Sequence, residues 1–143
     1  IYKITEKADS LFPKHYDTFI LQVFSEIEKK EGRKKIEEIF RWRKESLLEE
    51  RKTRLNGNKS VKKKLQRLAD LLEEEGYIVE FIENKDSFQL RQYNCPISSV
   101  SKMYRESCKM ELELYKDLIG DNLKRIACIS DGSPACVYSI SKQ

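Results

Sequence analysis

The sequence predicts an α+β fold, with three N-terminal helices followed by a β-β-α-β-β unit and an antiparallel sheet. Three observations predict it. Apolar residues recur at spacings of three and four through the first half of the chain. The texture turns β-branched and aromatic at Tyr77. Turn sequences then follow at Asn84-Lys85-Asp86 and Asp131-Gly132-Ser133-Pro134.

The first helix is predicted after Leu11-Phe12-Pro13, where Tyr16, Phe19, Ile20, Val23, Phe24 and Ile27 share one face and Gly32 is the natural stop. A second runs from about Lys34 to Leu55, with Ile36, Ile39, Phe40, Leu47 and Leu48 apolar; Asn56-Gly57 ends it. The third places Val61, Leu65, Leu68, Ala69 and Leu72 on one face. It closes on Glu73-Glu74-Glu75 before Gly76, carboxylates that oppose the helix dipole and are expected to serve solvation. Residues 77–82 and 87–91 form a hairpin about the Asn84-Lys85-Asp86 turn. From Ile97 the positions Val100, Tyr104, Cys108, Leu112, Tyr115 and Ile119 step mostly by four, predicting one helix that ends at Gly120 and turns Cys108 inward. A second hairpin is expected from residues 123–130 and 135–140. The helices show no internal repeat; the two hairpins are loosely similar.

A length of 143 residues suits one domain with a hydrophobic core. With 39% hydrophobic and 36% charged residues, wide solvated helix faces are expected. No run of about 18 apolar residues could cross a bilayer, and the N-terminus lacks the order of a signal peptide, so a cytoplasmic location is expected. A net charge of +4 is too mild to mark a nucleic-acid binder. The chain opens on Ile1, and Tyr2-Lys3-Ile4-Thr5 reads as the tail of an element begun upstream, as in a fragment.

The four cysteines, Cys95, Cys108, Cys128 and Cys136, all fall in the last third. Where thiols stay reduced, such a cluster reads as metal or redox ligands; buried small hydrophobes are the competing account. Cys95 precedes Pro96 near a helix N-terminus, where a thiol is assisted toward thiolate. Along an unbroken helix Cys95 and Cys108 would lie about 18 Å apart. Sharing one centre therefore requires the chain to bend, at Pro96 or Ser98-Ser99. Cys128 and Cys136 fall on the last two predicted strands. A three-residue loop pairs them, whereas a two- or four-residue loop pairs Cys136 with Ile129 and turns the thiols apart.

Other residues carry less. His15 reads as a surface or capping residue, and Trp42 as packing between helices. Arg51, Lys52, Arg54, Lys59, Lys62, Lys63, Lys64 and Arg67 form a basic run read as a solvated face, with DNA phosphate contact as the alternative. No phosphate loop, nucleophile elbow or histidine-based triad is present, so an enzyme is not expected.

The string Phe88-Gln89-Leu90-Arg91-Gln92-Tyr93-Asn94-Cys95-Pro96-Ile97 resembles the cysteine-bearing signature of the SufR-type iron-sulfur-sensing repressors, winged-helix regulators of the broad DeoR/ArsR group. The resemblance continues through Cys108, Glu111-Leu112, Leu118-Ile119-Gly120, Asp131-Gly132 and Cys136-Val137-Tyr138-Ser139-Ile140. It also takes in Tyr2, Ile4-Thr5, Leu11-Phe12-Pro13 and Tyr16 as the exit from the wing. It implies that the chain is a single C-terminal sensor and dimerisation domain. Residues 1–13 would end a linker from a winged-helix domain, 14–76 would be its helical part and 77–143 its cysteine-bearing part. The implied protein is a homodimeric transcriptional repressor, not a membrane protein, that binds DNA through the preceding domain and through no residue of this one. Its C-terminal domain holds an iron-sulfur cluster whose loss or oxidation alters DNA affinity, and such a cluster is readily lost on aerobic handling.

Three ligand positions carry over, as Cys95, Cys108 and Cys136. At the fourth the chain has Asp121 after Gly120, so either Cys128 or, less favourably for iron-sulfur chemistry, Asp121 would replace the missing ligand. Two further readings stand beside this one: a cluster-free thiol-redox or small-ligand sensor, and a purely structural dimerisation module built on the first two long helices.

Overall fold

The computed structural model describes residues 2–57 and 60–142; Ile1 and Lys59 lie outside them. The chain is α+β, with its helices packed on one face of a four-stranded antiparallel sheet. Among the described residues no helix is long and apolar enough to cross a membrane.

A four-residue helix α1 (Glu6–Asp9), capped by Thr5, lies in the stretch predicted as linker. Helices α2 (Tyr16–Glu31) and α3 (Arg33–Leu55) follow the predicted periodicity. They meet at Gly32, whose φ of +85° is readily adopted only by glycine. In α4 (Val61–Glu74) the Ser60 hydroxyl accepts the Lys63 N–H, capping the helix start. The acidic residues at its end have a structural role beyond solvation: Glu74 pairs with Arg54 and Glu75 with Arg51, joining α4 to α3. The basic run is accordingly not a uniform solvated face. Arg51 is buried, Lys62 meets Glu83 and Arg67 meets Asp70.

Strands β1 (Val79–Glu83) and β2 (Ser87–Gln92) form the predicted hairpin, with Phe81 opposite Leu90. The predicted helix from Ile97 to Ile119 is two helices, α5 (Ser98–Met103) and α6 (Glu106–Ile119). Tyr104 takes a non-helical conformation between them because tertiary packing overrides the helical period. Its ring meets Phe24 edge to face at 5.3 Å, and the Arg33 guanidinium lies 4.7 Å over it.

The second hairpin also departs from expectation. Strand β3 (Lys124–Ala127) is short and bulged, a single 3-10 turn occupies Ile129–Asp131, and β4 (Cys136–Ser141) lies between β2 and β3, giving the order β1-β2-β4-β3. Register places Phe88, Leu90 and Gln92 of β2 opposite Ile140, Tyr138 and Cys136 of β4, so all six buried side chains face the helices. The main core joins this face to α4 and α6 through Leu65, Leu68, Leu72, Leu114 and Leu118. A second cluster, Phe24, Ile36, Phe40, Val100, Tyr104 and Met110, ties α2 and α3 to α5 and α6. Trp42 does not pack between helices: it is 54% exposed, beneath the Lys35 ammonium.

Candidate thiol site

The break between α5 and α6 decides where the cysteines go. Cys95 sits just beyond β2, Cys108 in the first turn of α6 and Cys136 at the start of β4. All three line one cavity of about 30 Å³ between α3, α6 and the beginning of β4. That space holds two or three water molecules at roughly 10–15 Å³ each. The chain turns at Pro96-Ile97, where the Ser98 N–H donates to the Cys95 carbonyl at 3.0 Å, and breaks again at Tyr104 and Arg105; Ser98-Ser99 lie within α5. Two serine hydroxyls then separate the first two thiols: Cys95 Sγ is 3.7 Å from Ser101 Oγ, which accepts from Ser107 Oγ at 2.9 Å, which in turn lies 4.0 Å from Cys108 Sγ. Ser130 Oγ touches Cys108 Sγ at 3.5 Å.

Cys128 is not on a strand; it follows β3 and leads into the 3-10 turn. The bulge between Arg125 and Ala127 shifts the pairing so that Ala127 faces Val137, which brings Cys128 beside Cys136 within the same buried core. The Ile129 N–H donates to Cys136 Sγ at 3.2 Å, and the Arg105 guanidinium stands 4.0 Å from Cys128 Sγ. Asp121 is exposed on the turn after α6 and does not line the cavity. It lies beyond the far end of that helix, whose stretch from Cys108 to Ile119 alone spans about 16 Å along the axis. The structure thus gathers Cys95, Cys108, Cys136 and Cys128 at one end of α6 and leaves Asp121 at the other.

Electrostatics at the site oppose thiolate formation. Burial pushes the Cys136 thiol up to about 12, and the neighbouring Cys128 and Glu111 add to the rise despite the Ile129 N–H. Burial also raises Cys95, and the Ser101 hydroxyl and the backbone at Ile97 offset only part of it. The assistance expected from a helix N-terminus is therefore outweighed by desolvation, and α5 is only six residues long.

The sequence reading missed the polar hub beside the thiols. Glu111 lies one turn beyond Cys108 and accepts hydrogen bonds from the hydroxyls of Tyr138 at 2.5 Å, Tyr115 at 3.2 Å and Tyr77 at 3.4 Å. The Gln92 side-chain amide donates to Tyr115 Oη at 2.6 Å. Desolvation raises all three phenols, so they remain protonated donors. The signal was present: Cys108, Glu111 and Tyr115 fall at i, i+3 and i+7, so a carboxylate stands beside a buried helical stripe. Arg43, Lys44 and Arg51 of α3 line the opposite wall.

An iron-sulfur cluster is the group that the resemblance implies. In kind the donors fit, since thiolates are the usual ligands of such clusters and three thiols share a cavity with the fourth alongside. In size and spacing they do not as the side chains stand: a cavity of about 30 Å³ takes water molecules and would have to open for a cluster, and no group of three or more His, Cys, Asp or Glu among the described residues is arranged to hold a single metal ion. His15 is exposed at the start of α2, makes no capping hydrogen bond and takes no part. Comparison with known proteins adds no relative: no family model, no curated protein and no solved structure matches the chain.

Proposed function

We propose that the chain is the effector and dimerisation domain of a bacterial transcriptional repressor of the SufR type, which reports iron-sulfur or redox status through a cysteine-ligated cluster and acts on DNA through a preceding winged-helix domain. The observation that carries this reading is the convergence of Cys95, Cys108 and Cys136 on one cavity from a loop, a helix and a strand. Thiols serving only as small core residues have no reason to meet around a polar hub. When bound, the cluster would supply a centre that responds to oxidation and to iron supply. The chain's own part is to present the thiols, release their protons on ligation, and hold Glu111 and its tyrosines behind them.

A fast, cluster-free thiol sensor has less support. Such sensors use depressed thiol pKa values and open access, whereas Cys136 is raised and buried. The homodimer part of the proposal rests on α2, where Tyr16 and Phe19 are 72% and 64% exposed in line with half-buried Val23 and Ile27. Phe19→Glu should shift the chain from dimer to monomer in sedimentation velocity; an unchanged dimer would move the interface elsewhere.

The test of the cluster is iron and sulfide content with the UV-visible spectrum after anaerobic purification and reconstitution. A brown protein with stoichiometric iron is expected, and iron at background level would sink the reading. Cys95→Ser, Cys108→Ser and Cys136→Ser should each lower bound iron several-fold, while Asp121→Ala should leave it unchanged.

A further inference from the structure

Cys128 sits apart from the other three cysteines in one respect: it does not line the cavity, yet it lies against a thiol that does. Ala127 opposite Val137 is the last register pair of β3 and β4; Cys136 is the neighbouring residue of β4, and Cys128 is the residue just past the end of β3. Facing positions of antiparallel strands hold their Cα atoms about 4.5–5.5 Å apart. A disulfide spans about 4.4–6.8 Å. The Ile129 N–H reaches Cys136 Sγ at 3.2 Å, which places that sulfur against the peptide directly joined to Cys128. Cys95 and Cys108 offer no comparable pair, because the hydroxyls of Ser101 and Ser107 lie between them.

We propose that Cys128 is the disulfide partner of Cys136, and that closing this bond withdraws Cys136 from the cavity. The oxidant is a hydroperoxide, and of this pair it meets Cys136 first, because Cys136 lines the cavity and Cys128 does not. Cys136 sulfur takes the terminal oxygen of hydrogen peroxide as the O–O bond breaks, giving a sulfenic acid and one water. Cys128 sulfur, with the Arg105 guanidinium 4.0 Å away, then attacks the Cys136 sulfur. The S–O bond breaks, the S–S bond forms and a second water leaves with the Cys128 proton. Two electrons pass from the thiol pair to one peroxide, and a dithiol reductant reverses the change. Burial of both thiols makes this a response to sustained oxidant. The bond itself does not depend on the cluster reading; only its consequence for ligand supply rests on that proposal.

The experiment uses the iron-free chain, treated with hydrogen peroxide, unfolded in N-ethylmaleimide and digested with trypsin. Cleavage after Arg125 and Lys142 leaves Cys128 and Cys136 on one peptide, and Cys95 and Cys108 on two others. The expected result is loss of both maleimides from peptide 126–142, with its mass lowered by two hydrogens, while Cys95 and Cys108 remain alkylated. Cys128→Ser and Cys128→Ala, each checked for folding by circular dichroism, should abolish the bridged peptide and leave Cys136 alkylated or over-oxidised. A dominant link between Cys95 and Cys108, or full alkylation of peptide 126–142 after prolonged oxidation, would overturn the proposal. In a second arm, pre-oxidised and reduced chains are reconstituted with iron and sulfide. Several-fold lower uptake by the oxidised chain, restored by reductant, is expected. Absence of uptake by both would count against the cluster and leave the peptide result standing.

Discussion

Glu111 is the residue on which most of the buried polar structure depends. It accepts from three phenols, and without it each O–H would lose that acceptor, while Tyr115 Oη would keep the Gln92 amide as a donor. Tyr138 makes the shortest of these bonds and is 1% exposed, so Tyr138→Phe should lower stability by roughly 2 kcal/mol in urea unfolding. Tyr77→Phe, which removes a 3.4 Å bond, should cost less than about 1 kcal/mol. The raised groups also set the alkaline limit of the fold. A group whose folded pKa exceeds its unfolded value stabilises fully below the unfolded value and loses that contribution as pH rises. For Cys136 the loss begins near the ordinary thiol value of 9.0 and runs to about 12. Tyr115 and Tyr138 add theirs above 10.0. Urea midpoints should hold below pH 9 and decline above it, and Cys136→Ser should soften the first part of the decline. The cysteines themselves were legible as a cluster in the sequence. Their convergence was not, because it depends on a chain bend and a strand bulge that the residues around them do not announce.

That bend belongs to the scale of elements. Periodicity from Ile97 to Ile119 is compatible with one helix, and nothing local forbids it; the break follows from Tyr104 being drawn into the cluster of α2 and α3. Two arginines then hold the break. Arg33, the first residue of α3, reaches Glu106 at 2.5 Å and the Met103 carbonyl at 3.0 Å. Arg105 reaches the Ser130 carbonyl and Asp131 on the 3-10 turn. The thiol site is thereby joined on one side to the long helices and on the other to the turn that carries Cys128. Burial alone would raise the Glu106 carboxyl, but Arg33 more than offsets it, and its pKa falls below the ordinary 4.5. The stabilisation from this pair is present above that value and is lost as pH falls through the lower folded one. Because Arg33 is 45% exposed, the pair is worth on the order of 0.5 kcal/mol. Glu106→Gln should cost about that much at pH 7 and progressively less as pH falls below 4.5, measured by the thermal midpoint. The long helices were readable from spacing alone, since α2, α3 and α4 show amphipathic stripes with Gly or Asn-Gly stops; the short α1 and the 3-10 turn carry no such stripe.

Across the whole molecule, α3 bridges the two apolar clusters, with Ile36 and Phe40 in one and Leu55 in the other. The clusters should therefore unfold together. Trp42, exposed midway along α3, reports that helix, and its fluorescence should follow the same urea transition as far-UV circular dichroism. Leu90→Ala, at a fully buried position in β2, should lower that shared transition by about 3 kcal/mol. Separate transitions for the two probes would show that the helical part folds on its own. The sheet order leaves two strands at the margins, and neither invites another chain to add itself by backbone pairing. β3 is four residues long, bulged, and carries Lys124 and Arg125; β1 carries Glu80 and Glu83. Short length, a bulge and charge are the devices that keep sheet edges from growing into aggregates. Fibril-like association by edge extension is thus disfavoured in a chain whose β4 is apolar enough to sustain it.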